Sequence, residues 1–223
     1  MTEFQVVVIG AGPGGYLTAI KLSQLGQKVA LIENDKLGGE CLNYGCIPSK
    51  TMINTSDMYH KMSDLSTQGI EFESVKIDLE TFQTWKNSIT KKLRGGIDLL
   101  CKNYGVEIVF GTAKIRNPNL VEVINGENKK EISTEYIIIA TGSRAKDLED
   151  LRFDGNQIIS AKDVLDLNKV PKSMLIVGGG AIGLELGTAL AKFGTQVTII
   201  EITDKLLPDI EQDLVNVIER SAD

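Results

Sequence analysis

One pattern occurs twice in this chain and constrains its fold more than any other feature. In each copy a short apolar strand runs into three glycines spaced G-x-G-x-x-G, a helix pattern follows, and a second strand ends in a glutamate. The glycines are Gly10, Gly12 and Gly15 in the first copy and Gly178, Gly180 and Gly183 in the second. The first glycine precedes the glutamate by 23 residues in both copies, at Glu33 and at Glu201. This order of elements predicts an α/β fold with two Rossmann-like units.

Each part of the pattern has a physical role in holding a dinucleotide. The first glycine makes a tight turn, the second lets the backbone approach a pyrophosphate, and the third lets the helix pack on the strand. The helix N-terminus attracts the phosphates, and Glu33 or Glu201 can accept hydrogen bonds from a ribose diol. The alternative, two glycine turns in an ordinary α/β fold, is disfavoured because strand, helix and acid recur together. We therefore expect two dinucleotides.

The residues after the second glutamate indicate which nicotinamide dinucleotide is preferred. Glu201 is followed by Ile202, Thr203, Asp204 and Lys205, and none of these is an arginine that could receive a 2′-phosphate. The second motif therefore favours NAD over NADP, although Lys205 supplies one positive charge.

Between the two copies, the hydrophobic pattern predicts a helix and an antiparallel meander. Residues 78–102 read as a long amphipathic helix that is interrupted at Gly95–Gly96. Its apolar stripe, assigned to the core, consists of Phe82, Trp85, Ile89, Leu93, Ile97 and Leu100. Residues 106–132 alternate in short strands, and a separate buried strand is expected at residues 136–139. Residues 144–172 look like the connection to the second unit.

Two cysteines lie in a glycine-flanked loop after the first dinucleotide motif. Cys41 and Cys46 have four residues between them, a spacing that does not match a zinc knuckle, and the chain has one histidine, His60. A disulfide across so short a loop is sterically reasonable. We therefore predict a redox-active pair and no metal site; the alternative is a reduced pair that only packs.

The two sulfurs have different predicted roles. Pro48 stands where a helix begins, which places Cys46 near a helix N-terminus that stabilises a thiolate. Cys46 is therefore the predicted flavin-facing thiolate, and Cys41 the thiol that exchanges with an incoming disulfide. Cys101 lies on the apolar side of the long helix and is predicted to be a core residue, whereas His60 is predicted to be a surface residue.

At these residues the sequence resembles the pyridine nucleotide disulfide oxidoreductases, along essentially its whole length. The most specific stretch is Gly39-x-Cys41-Leu42-Asn43-x-Gly45-Cys46-Ile47-Pro48-Ser49-Lys50, with support from Ala140-Thr141-Gly142-Ser143 and Ile182-Gly183-Leu184-Glu185-Leu186-Gly187. The resemblance implies FAD at the first motif and NAD at the second. It also implies cofactor contacts from Gly39, Lys50, Thr141, Gly142 and Ser143, and a pairing of Lys50 with Glu185 beside the flavin.

The resemblance further implies a substrate and partners. Leu42, Ile47 and Ser49 favour the lipoamide-oxidising members over glutathione reductases, so dihydrolipoamide, or the lipoyl domain of a 2-oxoacid dehydrogenase complex, is the expected partner, and a homodimer is expected. Open alternatives are another disulfide reductase, such as a mercuric or glutathione reductase, and a non-catalytic dinucleotide-binding subunit.

Residues 1–148 are expected to form the FAD-binding domain, with the meander, and residues 149–223 an incomplete NAD-binding domain. Members of the family continue into a dimerisation domain that supplies a His-Glu base, so a fragment or truncated form is expected.

The net charge of −6 and pI near 5.0 argue against nucleic acid or an anionic membrane as a partner. The start of the chain lacks a basic leader before its first apolar strand, and a cytoplasmic location is expected.

Overall fold

The computed structural model describes residues 2–70 and 74–222. It has the predicted α/β fold and divides into two compact units. The first unit consists of Met1–Ile47 and Asn87–Arg144, and the second of Pro48–Lys86 and Ala145–Asp223. The two units are defined by contacts between residues and do not test function. The predicted limits of the FAD-binding domain, 1–148, and of the NAD-binding domain, 149–223, therefore stay predictions.

Eight strands and seven helices occur in the described residues. In chain order they are β1 (Thr2–Ile9), α1 (Pro13–Gln24), β2 (Val29–Glu33), α2 (Gly39–Asn43), α3 (Cys46–Asp64), α4 (Leu79–Asn103), β3 (Glu107–Phe110), β4 (Thr112–Asn117), β5 (Leu120–Asn125), β6 (Asn128–Ile139), α5 (Ala161–Val164), β7 (Ser173–Val177), α6 (Ala181–Lys192), β8 (Gln196–Ile200) and α7 (Gln212–Ala222). A 3-10 turn, Leu65–Gln68, follows α3.

The first unit is built on a six-stranded sheet in the order β3-β2-β1-β6-β5-β4. Strands β3, β2, β1 and the second half of β6 are parallel, while β6, β5 and β4 pair in antiparallel fashion. The antiparallel part is the predicted meander. Strand β3, which was expected within it, joins the parallel part instead by pairing with β2.

Apolar residues cover both faces of this sheet. On one face Val8 and Leu31 pack with Ile20 of α1 and Ile97 of α4. On the other face Val7, Ala30 and Ile32 pack against meander residues, namely Val121, Val123 and Ile132. Strand β2 is buried along its whole length, as expected for a strand covered on both sides. The first glycine turn follows at the carboxyl ends of β1 and β2.

The structure corrects the prediction for the long helix. Helix α4 runs without a break through Gly95–Gly96, because residues beyond the glycines, Ile97 and Cys101, are buried and hold the helix on the sheet. Each glycine lowers helix stability by only about 1 kcal/mol, which packing can offset. The predicted core stripe is also wrong in part, since Trp85, Leu93 and Leu100 are between 41% and 46% exposed.

The separate strand predicted at residues 136–139 is the second half of β6. Residues 128–133 pair with β5, and residues 132–139 pair with β1. Its predicted burial is wrong at Tyr136 and Ile139, which are about two-thirds exposed (64% and 66%). One long strand therefore joins the meander to the parallel sheet.

The second unit contains a parallel two-stranded sheet, β7-β8, and a separate apolar core. Leu186, Leu190 and Phe193 of α6 pack with Met52 of α3 and Phe82 of α4. The connection before β7 is fixed by Lys86, a lysine only 2% exposed. Its Nζ donates to the Leu165 carbonyl at 2.6 Å and pairs with Asp166 Oδ1 at 2.7 Å. This buried cation is thereby neutralised and hydrogen-bonded, as burial of a charge requires.

Candidate functional site

The first glycine turn lies at the carboxyl ends of β1 and β2. Gly10 has a φ of +101°, and its N–H donates to the Ile32 carbonyl at 2.8 Å. A Cβ added at Gly15 would lie 1.7 Å from the Gly10 carbonyl oxygen, and one added at Gly10 would lie 2.2 Å from the Ala140 carbonyl oxygen. Glycine is therefore required at both positions for the helix to pack this closely on the strand.

The second glycine turn repeats this construction 168 residues later. Gly178 has a φ of +110°, and its N–H donates to the Ile200 carbonyl at 2.8 Å. A Cβ at Gly183 would lie 2.3 Å from the Gly178 carbonyl oxygen. The two motifs thus form the same turn, with one difference among the described residues: a Cβ at Gly178 would meet nothing within 4 Å, whereas one at Gly10 meets Ala140.

Both glycine turns lead directly into a helix of 12 residues. Gly12 is the N-cap of α1 and Gly180 the N-cap of α6, and in neither helix does a side chain hydrogen-bond to the cap, as far as the structure describes the chain. The backbone N–H groups of such a first turn, together with the helix dipole, favour a bound anion. The geometry suits a pyrophosphate at each turn.

Glu33 and Glu201 make matching contacts at the ends of β2 and β8. Glu33 Oε2 accepts from the Ala11 N–H at 2.7 Å, and Glu201 Oε2 accepts from the Gly179 N–H at 2.7 Å. The other oxygen of each carboxylate accepts from the loop that follows, at Asp35 N–H (2.8 Å) and Thr203 N–H (2.9 Å). Each acid therefore ties the glycine turn to the loop after the second strand, and its role towards a ribose stays a prediction.

The loops that follow β2 and β8 hold the two glycine turns in the same way. In the first copy the Gly38 N–H donates to the Ala11 carbonyl at 2.8 Å, and in the second copy the Leu207 N–H donates to the Gly179 carbonyl at 3.0 Å. Both donors have a positive φ, +90° at Gly38 and +47° at Leu207. The residue before Leu207 also approaches the turn, since a Cβ added at Gly179 would lie 2.5 Å from Leu206 Cδ2.

The cysteine loop is joined to the first glycine turn. Gly39 has a φ of +57°, and a Cβ there would lie 2.6 Å from the Gly12 Cα. Cys41 lies in α2 and is half-buried, whereas Cys46 is the first residue of α3 and is exposed. The structure therefore places Cys46 at a helix N-terminus, as predicted, but the redox roles of the two thiols stay predictions.

Three side chains that sequence reasoning missed support this loop. Asn43 Nδ2 donates to the carbonyls of Leu37 (3.0 Å) and Gly39 (2.9 Å), and Arg94 Nη1 of α4 donates to Asn43 Oδ1 at 2.9 Å. The Tyr44 hydroxyl donates to Asp35 Oδ2 at 2.6 Å. Asn43, the last residue of the five-residue helix α2, was a possible signal in the sequence for side-chain support of the loop. No feature of the sequence indicated Arg94.

Lys50 and Glu185 form the predicted ion pair, between α3 and α6. Lys50 Nζ lies 2.7 Å from both carboxylate oxygens, with side chains 61% and 40% exposed. Seven residues further along each helix, Asp57 pairs with Lys192 at 2.5 Å. Because the charges are reversed in this second pair, sliding one helix by seven residues would oppose like charges. The two pairs together favour one register of the helices.

The other residues singled out from the sequence lie as follows. Thr141 lies beside the first glycine turn, since a Cβ at Gly10 would be 3.2 Å from the Thr141 Cα, and Gly142 and Ser143 follow as exposed residues. Cys101 is fully buried in the core, and burial, together with the nearby Asp98, raises the pKa of its thiol. His60 is exposed on α3. The predictions for Cys101 and His60 are thus confirmed.

Across residues 2–70 and 74–222, no helix is long and apolar enough to cross a membrane. Within the same residues, no group of three or more histidines, cysteines or acids is arranged to hold a metal ion.

The fold and the two glycine turns define a dinucleotide-binding architecture, with a loop that carries two cysteines attached to its first turn. Residues 4–222 match the family described as pyridine nucleotide-disulphide oxidoreductase, and the chain belongs to that family.

Within this family, the chain is similar to individual proteins and to solved structures. The chain is 45% identical to a dihydrolipoyl dehydrogenase of Geobacillus stearothermophilus over 98% of its length, and 41% identical to one of Haloarcula marismortui over its full length. It spans about half of these relatives, 46% and 48%. A structure of the HOCl-induced flavoprotein disulfide reductase RclA from Escherichia coli superposes with a TM-score of 0.81 at 28% identity, covering 99% of this chain and 47% of that one.

Proposed function

We propose that this chain carries the FAD site, the redox-active dithiol and part of the NAD site of an enzyme that oxidises dihydrolipoamide to lipoamide. The observation that carries the proposal is the attachment of the Cys41–Cys46 loop to the first glycine turn, with Gly39 packed on Gly12. The similarity to dihydrolipoyl dehydrogenases over the whole chain supports the choice of substrate.

The residues present fit two dinucleotides. Close packing excludes side chains at Gly10 and Gly15, and Gly12, the N-cap of α1, places no side chain between the backbone N–H groups of the first helical turn and a pyrophosphate. At the second turn a side chain is excluded at Gly183, Gly178 has a φ of +110°, and the loop after Glu201 lacks an arginine for a 2′-phosphate. Since the geometry suits a dinucleotide at each turn, we propose FAD at the first and NAD at the second, as the resemblance to the family implies.

In the proposed reaction the chain's own residues carry out thiol–disulfide exchange. One thiolate of dihydrolipoamide attacks the Cys41 sulfur of a Cys41–Cys46 disulfide, and Cys46 leaves as a thiolate. The second substrate thiol then displaces Cys41, which releases lipoamide and leaves two thiols on the protein. Two electrons and two protons have passed from substrate to protein. When bound, FAD at the first turn would supply the acceptor for the two electrons of the dithiol, and NAD at the second would supply a hydride acceptor.

Lys50 and Glu185 have a positioning role in this scheme. The ion pair holds the Lys50 ammonium one helical turn after Cys46 on α3. The resemblance to the family implies that this ammonium would lie beside the flavin when FAD is bound. The partner we propose is a lipoyl domain of a 2-oxoacid dehydrogenase complex, and the assembly we propose is a homodimer.

Spectroscopy of the purified, FAD-loaded protein tests the proposal. Anaerobic reduction with one equivalent of dihydrolipoamide should produce a long-wavelength absorption band, which a thiolate beside oxidised flavin gives. Cys46→Ser should abolish the band, and Cys101→Ser should leave it unchanged because Cys101 is buried in the core. A band that persists in Cys46→Ser contradicts the assignment of roles.

The substrate in this experiment separates the remaining alternatives. Reduction by glutathione or another thiol, but not by dihydrolipoamide, favours a different disulfide reductase, the class to which the RclA structure belongs. A protein that binds FAD yet is reduced by no dithiol favours a non-catalytic binding subunit. The intact mass, measured on the same sample, defines the chain being tested.

A further inference from the structure

The Cys41–Cys46 loop contains a helix too short to be stable alone. Helix α2 has five residues, Gly39–Asn43, whereas isolated helices need more than about 12 residues to be stable in water. Gly38 and Gly39, which precede or begin it, both have positive φ values, +90° and +57°, and glycine has more conformational freedom than any other residue. Contacts from outside the helix must therefore fix the position of Cys41.

We propose that Arg94 of α4 is a positioning residue that, through Asn43, holds Cys41 where it can close a disulfide with Cys46. The inference rests on the proposed function, because it takes this pair of cysteines to be redox-active. Arg94 reaches Asn43 Oδ1 at 2.9 Å, and Asn43 in turn bonds the carbonyls of Leu37 and Gly39. These bonds enclose Cys41 on both sides along the chain.

Arg94 determines which way the Asn43 amide faces. A guanidinium has five N–H donors and no acceptor, so only the amide oxygen of Asn43 can face it. The amide nitrogen must then point away, towards the two carbonyl oxygens that it meets at 3.0 and 2.9 Å. Without Arg94 the amide can rotate and release both carbonyls. One hydrogen bond from α4 thus maintains two others within the loop.

Apolar contacts of the same helix make this arrangement rigid. Leu37 and Leu42 are buried (6% and 8% exposed) and belong to one core cluster with Ile97 and Cys101 of α4. The loop also folds back on itself, since a Cβ at Gly45 would lie 3.7 Å from the Cys41 Cα. The chain just before Cys46 therefore lies against Cys41, a geometry that favours ring closure.

The test measures the equilibrium of disulfide formation in the purified protein. The Cys41–Cys46 disulfide and reduced dithiothreitol exchange to give two protein thiols and oxidised dithiothreitol, a balanced transfer of two electrons and two protons. Anaerobic samples in graded dithiothreitol buffers are quenched with acid, alkylated and analysed by mass. Arg94→Met should lower the equilibrium constant for disulfide formation about tenfold, which corresponds to about 30 mV.

Two variants and one control sharpen the result. Arg94→Lys keeps a donor and should recover part of the equilibrium constant. Asn43→Asp keeps the Arg94 contact but points an oxygen at two carbonyl oxygens, so it should lower the constant as Arg94→Met does. Lys91→Met removes an exposed positive charge from the same helix and should leave the constant unchanged.

The outcomes distinguish this inference from the proposed function. If Arg94→Met changes the equilibrium constant for disulfide formation by less than about twofold, or if Lys91→Met lowers it equally, the positioning role alone is overturned. A wild-type chain that forms no Cys41–Cys46 disulfide overturns the proposed function as well. Thermal unfolding of each variant is recorded alongside, because a purely structural role would move the unfolding midpoint and not the disulfide equilibrium of the folded protein.

Discussion

At the scale of single residues, Glu33 and Glu201 do more than mark the ends of two strands. Each uses one carboxylate oxygen to hold the glycine turn and the other to hold the following loop. Backbone N–H donors to a carboxylate favour its ionised form. Accordingly, hydrogen bonds from Thr203 and Gly179 hold the pKa of Glu201 below its ordinary value.

We expect Glu201→Gln to change both stability at acid pH and NAD binding. Because the folded-state pKa is lowered, ionised Glu201 stabilises the fold above the unfolded-state pKa. That contribution is lost as the pH falls through the folded-state pKa. Wild-type stability should therefore fall below about pH 5 more steeply than that of the variant. The affinity for NAD at pH 7 should fall about tenfold, through loss of a charge-assisted hydrogen bond.

Urea unfolding at several pH values and calorimetric titration with NAD measure these effects. Glu149→Gln, an exposed acid of the connection, should have neither effect. Equal slopes of stability against pH in wild type and Glu201→Gln would show that the carboxylate makes no net contribution to folding.

Local structure could be predicted from the sequence where the interacting residues lie close in the chain or repeat at a fixed spacing. The glycine turns, the acids at the ends of β2 and β8, and the position of Cys46 at a helix N-terminus are of this kind. Arg94 lies 51 residues from Asn43, and Lys192 lies 135 residues from Asp57, so these contacts depend on how whole helices pack. The Lys50–Glu185 pair is equally distant and was accessible only through resemblance to a family.

At the scale of elements, periodicity predicted where helices and strands occur better than where they end. Gly95–Gly96 suggested a break in α4, yet packing of its buried face continues the helix. Likewise, β6 is one strand because it pairs with β5 on one part of its length and with β1 on the other. Local propensity contains neither kind of information.

The glycine turn of the second copy provides a test of side-chain fit. Gly179→Ala should destabilise the protein by no more than about 1 kcal/mol, because the new methyl group overlaps Leu206 Cδ2, the end of a flexible side chain that can shift aside. Combining it with Leu206→Ala should recover about 0.5 kcal/mol relative to the sum of the single variants. Equilibrium unfolding in urea measures this coupling.

Gly95→Ala is the control for a glycine without such a neighbour. An added Cβ there lies in open space in the part of the chain that the structure describes, and α4 is continuous around it. Alanine should therefore stabilise the protein by about 0.5 to 1 kcal/mol. Additive effects of Gly179→Ala and Leu206→Ala would show that the two positions do not compete for space.

At the scale of the whole molecule, the buried apolar residues form separate clusters in the two units. Two clusters, which contain Val7 and Leu31, belong to the first unit. The cluster around Leu190 belongs to the second. Among the described residues no buried member is shared between clusters of different units. Each unit therefore has its own hydrophobic contribution to stability.

We expect two resolvable transitions in differential scanning calorimetry. Leu31→Ala and Leu190→Ala each remove a side chain that is fully buried, at a cost of about 2 to 5 kcal/mol. Each should lower the temperature of one transition by about 10 °C or more and shift the other much less. A single transition that both variants lower equally would mean that the two cores unfold cooperatively.

The left-handed backbone shared by Gly38 and Leu207 has an evolutionary consequence. Each N–H holds the carbonyl of a glycine turn, and each residue has a positive φ, although one has no side chain and the other is a leucine. If both glycine turns descend from one ancestor, the backbone conformation at this position has stayed the same while the side chain has changed. Because glycine adopts a positive φ without strain, related sequences should show glycine recurring at position 207.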